Sequence, residues 1–307
     1  MKTVGDTLAF HLSLIGELSD ADCTILSDAP ATVRTVRRGT DVLSEGEIPH
    51  DAVIVLSGLL QRYTARKDGT RQVHSFYVPT DAPSLETLYM DYMDNSLCAA
   101  VDSTVGLIPH AHLYELIDKR PGIRKLLWRQ TLVQAAVFRE WLMRNSRLPA
   151  HACVAHLFCE IFVRSQAARL TTDHTFPFPI TQEQLSEAVG LSPVHTNRTI
   201  MLLRDANAIE WQGGRVSVKD WDKLSAIAEF DAYYLHLRSL PAHAVARGRG
   251  RHPEDERGDM RPPARVWHRA TFCGAIEQVF VCHLRSQVSS FTRTEPRHGG
   301  QASLKVG

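Results

Sequence analysis

No run of about 18 or more apolar residues occurs in the 307-residue chain, so no membrane-spanning helix is expected. The N-terminus has no basic region leading into an apolar core, which argues against a secretion signal and for a cytoplasmic protein. Cysteine is scarce: Cys23, Cys98, Cys153, Cys159, Cys273 and Cys282 are scattered and form no C-x-x-C pair, which excludes a disulfide framework. Net charge is nearly absent, at +1 for 35 Lys and Arg against 34 Asp and Glu. It is unevenly spread. Residues 238–307 carry 12 Lys and Arg against 6 Asp and Glu, a balance of +6 that leaves −5 for residues 1–237. Any attraction of the main body to a polyanion must therefore be local. No nucleophile–base–orienter set, phosphate loop or metal motif is legible, so neither catalysis nor a cofactor is expected.

What is present is concentrated in residues 180–218, ITQEQLSEAVGLSPVHTNRTIMLLRDANAIEWQGGRVSV. Thr181 followed three residues later by Gln184 forms a capping box, and Gly190 stands where a helix would end in a left-handed residue. Ser192 then supplies a second N-cap, with Pro193 at the first helical position, where its missing N–H costs nothing. Two short helices around a glycine turn form a helix-turn-helix. In the second helix Thr196, Thr199, Ile200 and Leu203 share one side, while Val194, Asn197, Arg198 and Met201 share the other. A merely structural helix would carry several charges on its outer face. This face instead carries a guanidinium, an amide and a small apolar group, which suit guanine, adenine and a thymine methyl in the major groove. The following IEWQGGRVSV reads as two strands around Gln212-Gly213-Gly214, a wing.

Upstream, residues 8–29 have helical spacing with Asp-rich interruptions, and from Thr32 the period changes to two. Short β-rich runs punctuated by Arg38-Gly39-Thr40, Glu45-Gly46-Glu47, Ser57-Gly58 and Asp68-Gly69 predict a small barrel or roll. A short helix is expected over His110–Asp118 and a longer one over Ile123–Arg147. The apolar face of the longer helix is wider than one core requires, which suggests two partners: its own barrel and a second subunit through Leu127, Val133, Val137 and Trp141. A helix buried wholly within one chain is the alternative. Residues 150–164 form another helix, in which Cys153, His156 and Cys159 drift across the face, and a packed core suits them better than a metal. Phe176-Pro177-Phe178-Pro179 reads as a stiff lead into Thr181, and residues 220–237 as a final amphipathic helix. The Arg-, Pro- and Gly-rich stretch after residue 238 reads as disordered.

In VRRGTDVLSEGE, AVIVLSGLLQRY and ITQEQLSEAVGLSPVHTNRTIMLLRDANAI the chain resembles the Crp/Fnr family of bacterial transcription regulators, over about residues 10–237. The resemblance implies an α+β fold in four parts. A β-roll sensor domain of the cyclic-nucleotide-binding, jelly-roll type takes residues 1–119 and a dimerisation helix residues 120–147. A winged helix-turn-helix takes residues 148–237, and a basic tail of low order residues 238–307. It also implies a homodimer on a two-fold symmetric DNA site, answering a signal in the roll, with RNA polymerase as a candidate further partner. By position the base-contacting residues fall on Pro193, Val194, Asn197 and Arg198, and the family's recognition-helix glutamate is replaced by Val194. Thr181, Gln182, Ser192 and Arg215 are the expected backbone contacts.

The sensing half departs from the family. Members that bind cyclic nucleotides hold the phosphate with a Gly-Glu segment and a later Arg followed by a small hydroxyl residue. Here Glu86 stands for the glutamate, Asn95 and Ser96 fall near the arginine position, and no Arg or Lys lies between Arg71 and Lys119. A buried phosphate without a countercharge is costly, so cyclic AMP is not the expected effector, which stays unassigned. An iron–sulfur centre would need an N-terminal cysteine cluster where only Cys23 stands, and haem would have to draw on His50, His74, His110 or His112. The competing reading is a ligand-binding signalling module that has lost DNA recognition.

Overall fold

A computed structural model describes residues 3–239 of the chain. The expected basic tail lies, from residue 240 onward, outside the described residues.

The helical opening resolves into two helices, α1 (Val4–Ile15) and α2 (Asp20–Ser27), each started by its own cap. Thr3 and Asp6 form a capping box, and the Ser19 hydroxyl accepts from the Asp22 N–H. Seven strands follow: β1 (Thr32–Val36), β2 (Asp41–Leu43), β3 (Asp51–Ser57), β4 (Leu60–Ala65), β5 (Arg71–Tyr77), β6 (Ser96–Ala99) and β7 (Ser103–Pro109). They pair antiparallel in two sheets, β1-β7-β3 and β2-β6-β4-β5. The inward residues of both sheets, among them Val36, Val53, Val55, Leu60, Leu97, Ala99 and Val105, form one core. This is the β-roll.

Helix α3 (His110–Lys119) leads into α4 (Pro121–Arg147), which starts with proline at N1, where no intrahelical N–H is required. Leu148-Pro149 ends α4, and α5 (Ala150–Ala167) begins at once. Helix α5 is buried on nearly every side, from Ala152 to Val163. The Phe-Pro-Phe-Pro segment is more than a lead. Thr175–Pro177 is a strand, β8, which joins β9 (Ile209–Gln212) and β10 (Arg215–Val218) in a sheet of order β8-β10-β9. Between β8 and β9 come α6 (Gln182–Val189) and α7 (Pro193–Asp205). The final helix is shorter than its apolar period suggests. Helix α8 (Trp221–Ala228) stops where Glu229 turns left-handed, and a separate 3₁₀ turn spans Ala232–Leu235.

One apolar core crosses from the roll into the C-terminal region. Tyr63, Val73, Phe76 and Val78 of the roll belong to the same cluster as Trp141, Phe158, Phe162, Phe178 and Trp211. The Phe76 and Phe178 rings meet edge to face with centroids 5.4 Å apart, a favoured aromatic geometry. Polar ties cross the same boundary. Gln184 Nε2 donates to Ala100 O at 2.9 Å, Gln72 Nε2 to Glu187 O at 3.0 Å, and Arg164 Nη2 pairs with Asp81 Oδ2 at 2.6 Å.

Candidate nucleic-acid interface

The reading element is built by its caps. Thr181 Oγ1 accepts from Gln184 N at 3.2 Å while Gln184 Oε1 accepts from Thr181 N at 2.9 Å, so α6 starts with a closed box. Gly190 ends it at φ +67°, a left-handed conformation in which a Cβ would be strained. Ser192 Oγ accepts from His195 N at 3.3 Å and starts α7. Thr196, Thr199, Ile200 and Leu203 are buried against the rest of the fold. That rotation turns Pro193, Val194, Asn197, Arg198 and Met201 outward, with Val194 65% exposed. The wing turn is made by Gly213 and Gly214, both at positive φ, as a two-residue hairpin of the strands' twist requires. Arg215 stands exposed beside it, across from Gln212.

The expected backbone contacts therefore sit at starts and edges: Thr181 and Gln182 at the N-terminus of α6, Ser192 at that of α7, Arg215 on the wing. Free N–H groups and the positive end of the helix dipole favour a phosphate at such places. One contact was not foreseeable from spacing. Gln182 Oε1 accepts from Asn197 Nδ2 at 3.0 Å, joining the first residue of α6 to the outward face of α7.

The structure changes the reason given for the roll's expected indifference to cyclic AMP. No cation lies in the segment around Glu86, but Arg62 of β4 reaches it from the neighbouring strand. Its Nη2 donates to both Glu86 Oε1 and Pro83 O, its Nη1 to Asn95 Oδ1 at 3.0 Å, and its Nε to Tyr77 Oη at 3.0 Å. Tyr77 in turn donates to Gln134 of α4 at 3.0 Å. The countercharge exists, and the chain itself engages it through Tyr77, Asn95, Pro83 and Glu86. Ser96 is also committed, since its Oγ accepts from Glu45 N at 3.0 Å. A signal for Arg62 was present in the sequence: it shares strand parity with the core residue Leu60, and a charge at an inward position needs a buried partner. The network borders an open groove of about 630 Å³, lined by its Arg62 and Asn95 together with His74, Phe138, Trp141 and Leu142, among others.

The four residues expected at a subunit interface lie buried in the single chain. Leu127, Val133, Val137 and Trp141 all pack inside their own chain. The exposed apolar stripe of α4 is a different one: Trp128, Leu132 and Leu142 are 62, 52 and 72% exposed, with Phe138 between them. Spacing could not choose between the two faces, because the inward one also carries the buried polar residues Gln130 and Arg144.

The remaining candidates are engaged elsewhere. Cys153 Sγ donates to Arg144 O at 3.2 Å, His156 Nε2 lies 3.2 Å from Glu140 Oε1, and burial pushes the Cys159 thiol well above its ordinary value. Burial likewise pushes the Cys98 thiol up to about 11. Such thiols are poor ligands and poor nucleophiles. His50 precedes β3, His74 lies on β5, and His110 and His112 both open α3, and among the described residues no three His, Cys, Asp or Glu side chains come together as a metal site. No helix among the described residues is long and apolar enough to cross a membrane.

Residues 154–227 match the family model of the Crp-like helix-turn-helix domain, and residues 33–120 that of the cyclic nucleotide-binding domain. The transcriptional activator protein FnrL of Cereibacter sphaeroides is 25% identical over 198 residues, 62% of this chain and 78% of that one. The nitrogen fixation regulation protein FixK of Bradyrhizobium diazoefficiens is 25% identical over 190 residues, 62% and 79% of the two chains. Among solved structures, FixK2 from Bradyrhizobium japonicum superposes with a TM-score of 0.57 at 18% identity, covering 64% of this chain and 97% of that one. At that identity the likeness speaks to fold.

Proposed function

Since the chain belongs to the Crp/Fnr family of transcription regulators, we propose that it is a sequence-specific regulator without enzymatic activity, acting in the cytoplasm as a homodimer on a two-fold symmetric operator. The observation that carries this reading is the division of α7: four residues buried, and Pro193, Val194, Asn197 and Arg198 turned outward between two capped helix starts and a wing. Arg198 reads guanine, Asn197 adenine, and Val194 offers an apolar contact where the family's glutamate would stand. Thr181, Gln182, Ser192 and Arg215 hold the phosphates on either side of the groove. RNA polymerase is a further proposed partner.

The homodimer forms along Trp128, Leu132, Phe138 and Leu142 of α4. These residues lie close to the seven-residue repeat of a paired helix and are too large an apolar stripe for one helix to leave in water. The roll senses something other than cyclic AMP, because the Arg62 guanidinium that pairs with Glu86 is already committed to Glu86, Pro83, Asn95 and Tyr77.

The test is selection of bound duplexes from a random pool by the purified chain. A palindromic consensus with two half-sites about one helical turn apart is the expected result. Binding without any consensus would favour the module that has kept the roll and lost DNA reading.

A further inference from the structure

The outward face of α7 is buttressed by α6. Asn197 Nδ2 donates to Gln182 Oε1 at 3.0 Å, and among the described residues no hydrogen bond engages Asn197 Oδ1 or Gln182 Nε2. Gln182 is the first residue of its helix, held there by the Thr181–Gln184 box, and both amides are exposed.

A terminal amide turns through 180° at little cost, exchanging its oxygen and its NH₂ group, and the two orientations read different bases. Two facing amides can both flip and keep their hydrogen bond, so the pair alone selects neither orientation. A phosphate does. It only accepts, so a phosphate at the start of α6 takes Gln182 Nε2 and turns Oε1 towards Asn197. Asn197 must then offer Nδ2 to Gln182, which leaves its Oδ1 and its second Nδ2 proton for the groove. That edge matches adenine, whose N6 donates and N7 accepts, and it opposes the acceptor-only edges of guanine O6 and thymine O4.

We propose that Gln182 is a positioning residue that converts a phosphate contact into base selectivity: it fixes the Asn197 amide so that Asn197 reads adenine. The inference rests on the DNA-binding reading above and deepens it.

The experiment is selection from a random duplex pool with the full chain and the variants Asn197→Ala, Gln182→Ala and Gln182→Glu, followed by titration of the selected duplexes. Loss of one base preference in Asn197→Ala locates the position that Asn197 reads, and that base should be adenine. Gln182→Ala should then reduce the adenine preference at that position about tenfold while leaving the others intact, within the range a bidentate contact supplies. Gln182→Glu keeps an acceptor for Nδ2 but repels the phosphate. It should retain the adenine preference and bind every duplex more weakly. The proposal is overturned if Gln182→Ala weakens all duplexes alike with the preference intact, for then Gln182 only touches phosphate. It is also overturned if the Asn197 position selects guanine or thymine. A wild-type chain that selects no sequence at all removes the DNA-binding reading, a different failure, and this inference with it.

Discussion

Arg198 and Arg215 are both exposed guanidinium groups, and under the proposed reading their positions predict different tasks. The first stands on the α7 face one turn in from Ser192; the second lies on the wing strand beside the groove. Arg198→Ala should cost about 1–3 kcal/mol on the selected duplex and little on a scrambled one. Arg215→Ala should weaken both alike and reduce the salt dependence by about one phosphate contact. Paired titrations at two salt concentrations separate them, and an equal loss on both duplexes for Arg198→Ala would remove it from the reading face. Arg62 is a third guanidinium with a third task. Its loss leaves Glu86 and Pro83 O without their donor, so Arg62→Leu should destabilise the chain by about 3 kcal/mol, near the low end for a buried pair because Glu86 is partly exposed. Calorimetry on the wild type should show no micromolar binding of cyclic AMP. Stoichiometric binding would mean that the phosphate displaces Glu86 from Arg62.

His11 gives the chain a pH dependence of known sign. Burial, the largest influence, lowers its pKa below the ordinary 6.5, while Asp81 at 3.8 Å and Gln130 work in the other direction and Arg164 works with burial. It borders a small cavity of about 60 Å³, also lined by Thr80, Asp81, Gln130 and Arg164. The folded chain thus keeps this imidazole neutral where the unfolded chain would protonate it. Below pH 6.5 the unfolded state binds more protons, so stability falls as pH falls through that value and on towards the folded pKa. The urea midpoint should drop between pH 7 and pH 5, and drop less in His11→Gln. His74, His110 and His236 are lowered by burial too, so some slope should persist in that variant. An identical slope with and without His11 would assign the effect to those three.

At the scale of elements, legibility followed local chemistry. Helices α6 and α7 were readable because each start and stop is written in one or two residues, from Thr181 and Gln184 to Gly190, Ser192 and Pro193. Strand β8 was not, because its pairing with β10 is a contact with residues about forty positions away, and its prolines argue against a strand. The stop at Glu229 was hidden as well, since a charged residue carries no left-handed signal as glycine does. Helix α4 was legible as two-faced, but the side that faces its own chain also buries Gln130 and Arg144, so apolar spacing alone could not identify it. Two substitution classes on that helix should therefore part company. Leu132→Glu and Leu142→Glu should leave the fold intact and shift sedimentation from about twice the 34.4 kDa chain mass to a single chain at micromolar concentration. Trp141→Ala should instead cost about 3–5 kcal/mol of stability through a core cavity. If Leu132→Glu and Leu142→Glu both stay dimeric, the interface lies elsewhere.

For the molecule as a whole, the roll and the C-terminal region share an interior. Phe76 packs on Phe178, and Phe178 lies 6.0 Å from Phe158 between ring centroids, so melting either side exposes the other. Calorimetry should record one cooperative transition for residues of both regions, and Phe76→Ala should lower it as a unit. Two resolved transitions in the wild type would mean that the seam contributes little coupling.

That seam bears on how such chains can be recombined. The two stretches of recognisable inheritance, 33–120 and 154–227, are the pieces from which a chimera would naturally be cut. Their boundaries fall on either side of α4 and take no account of Phe76, Gln72 or Ala100, which meet the second piece across a common surface. Grafting a foreign reading head at residue 154 would leave Phe76 facing a stranger and Gln72 without its carbonyl. The unit that can be exchanged intact is the reading head together with the patch of roll that fits it.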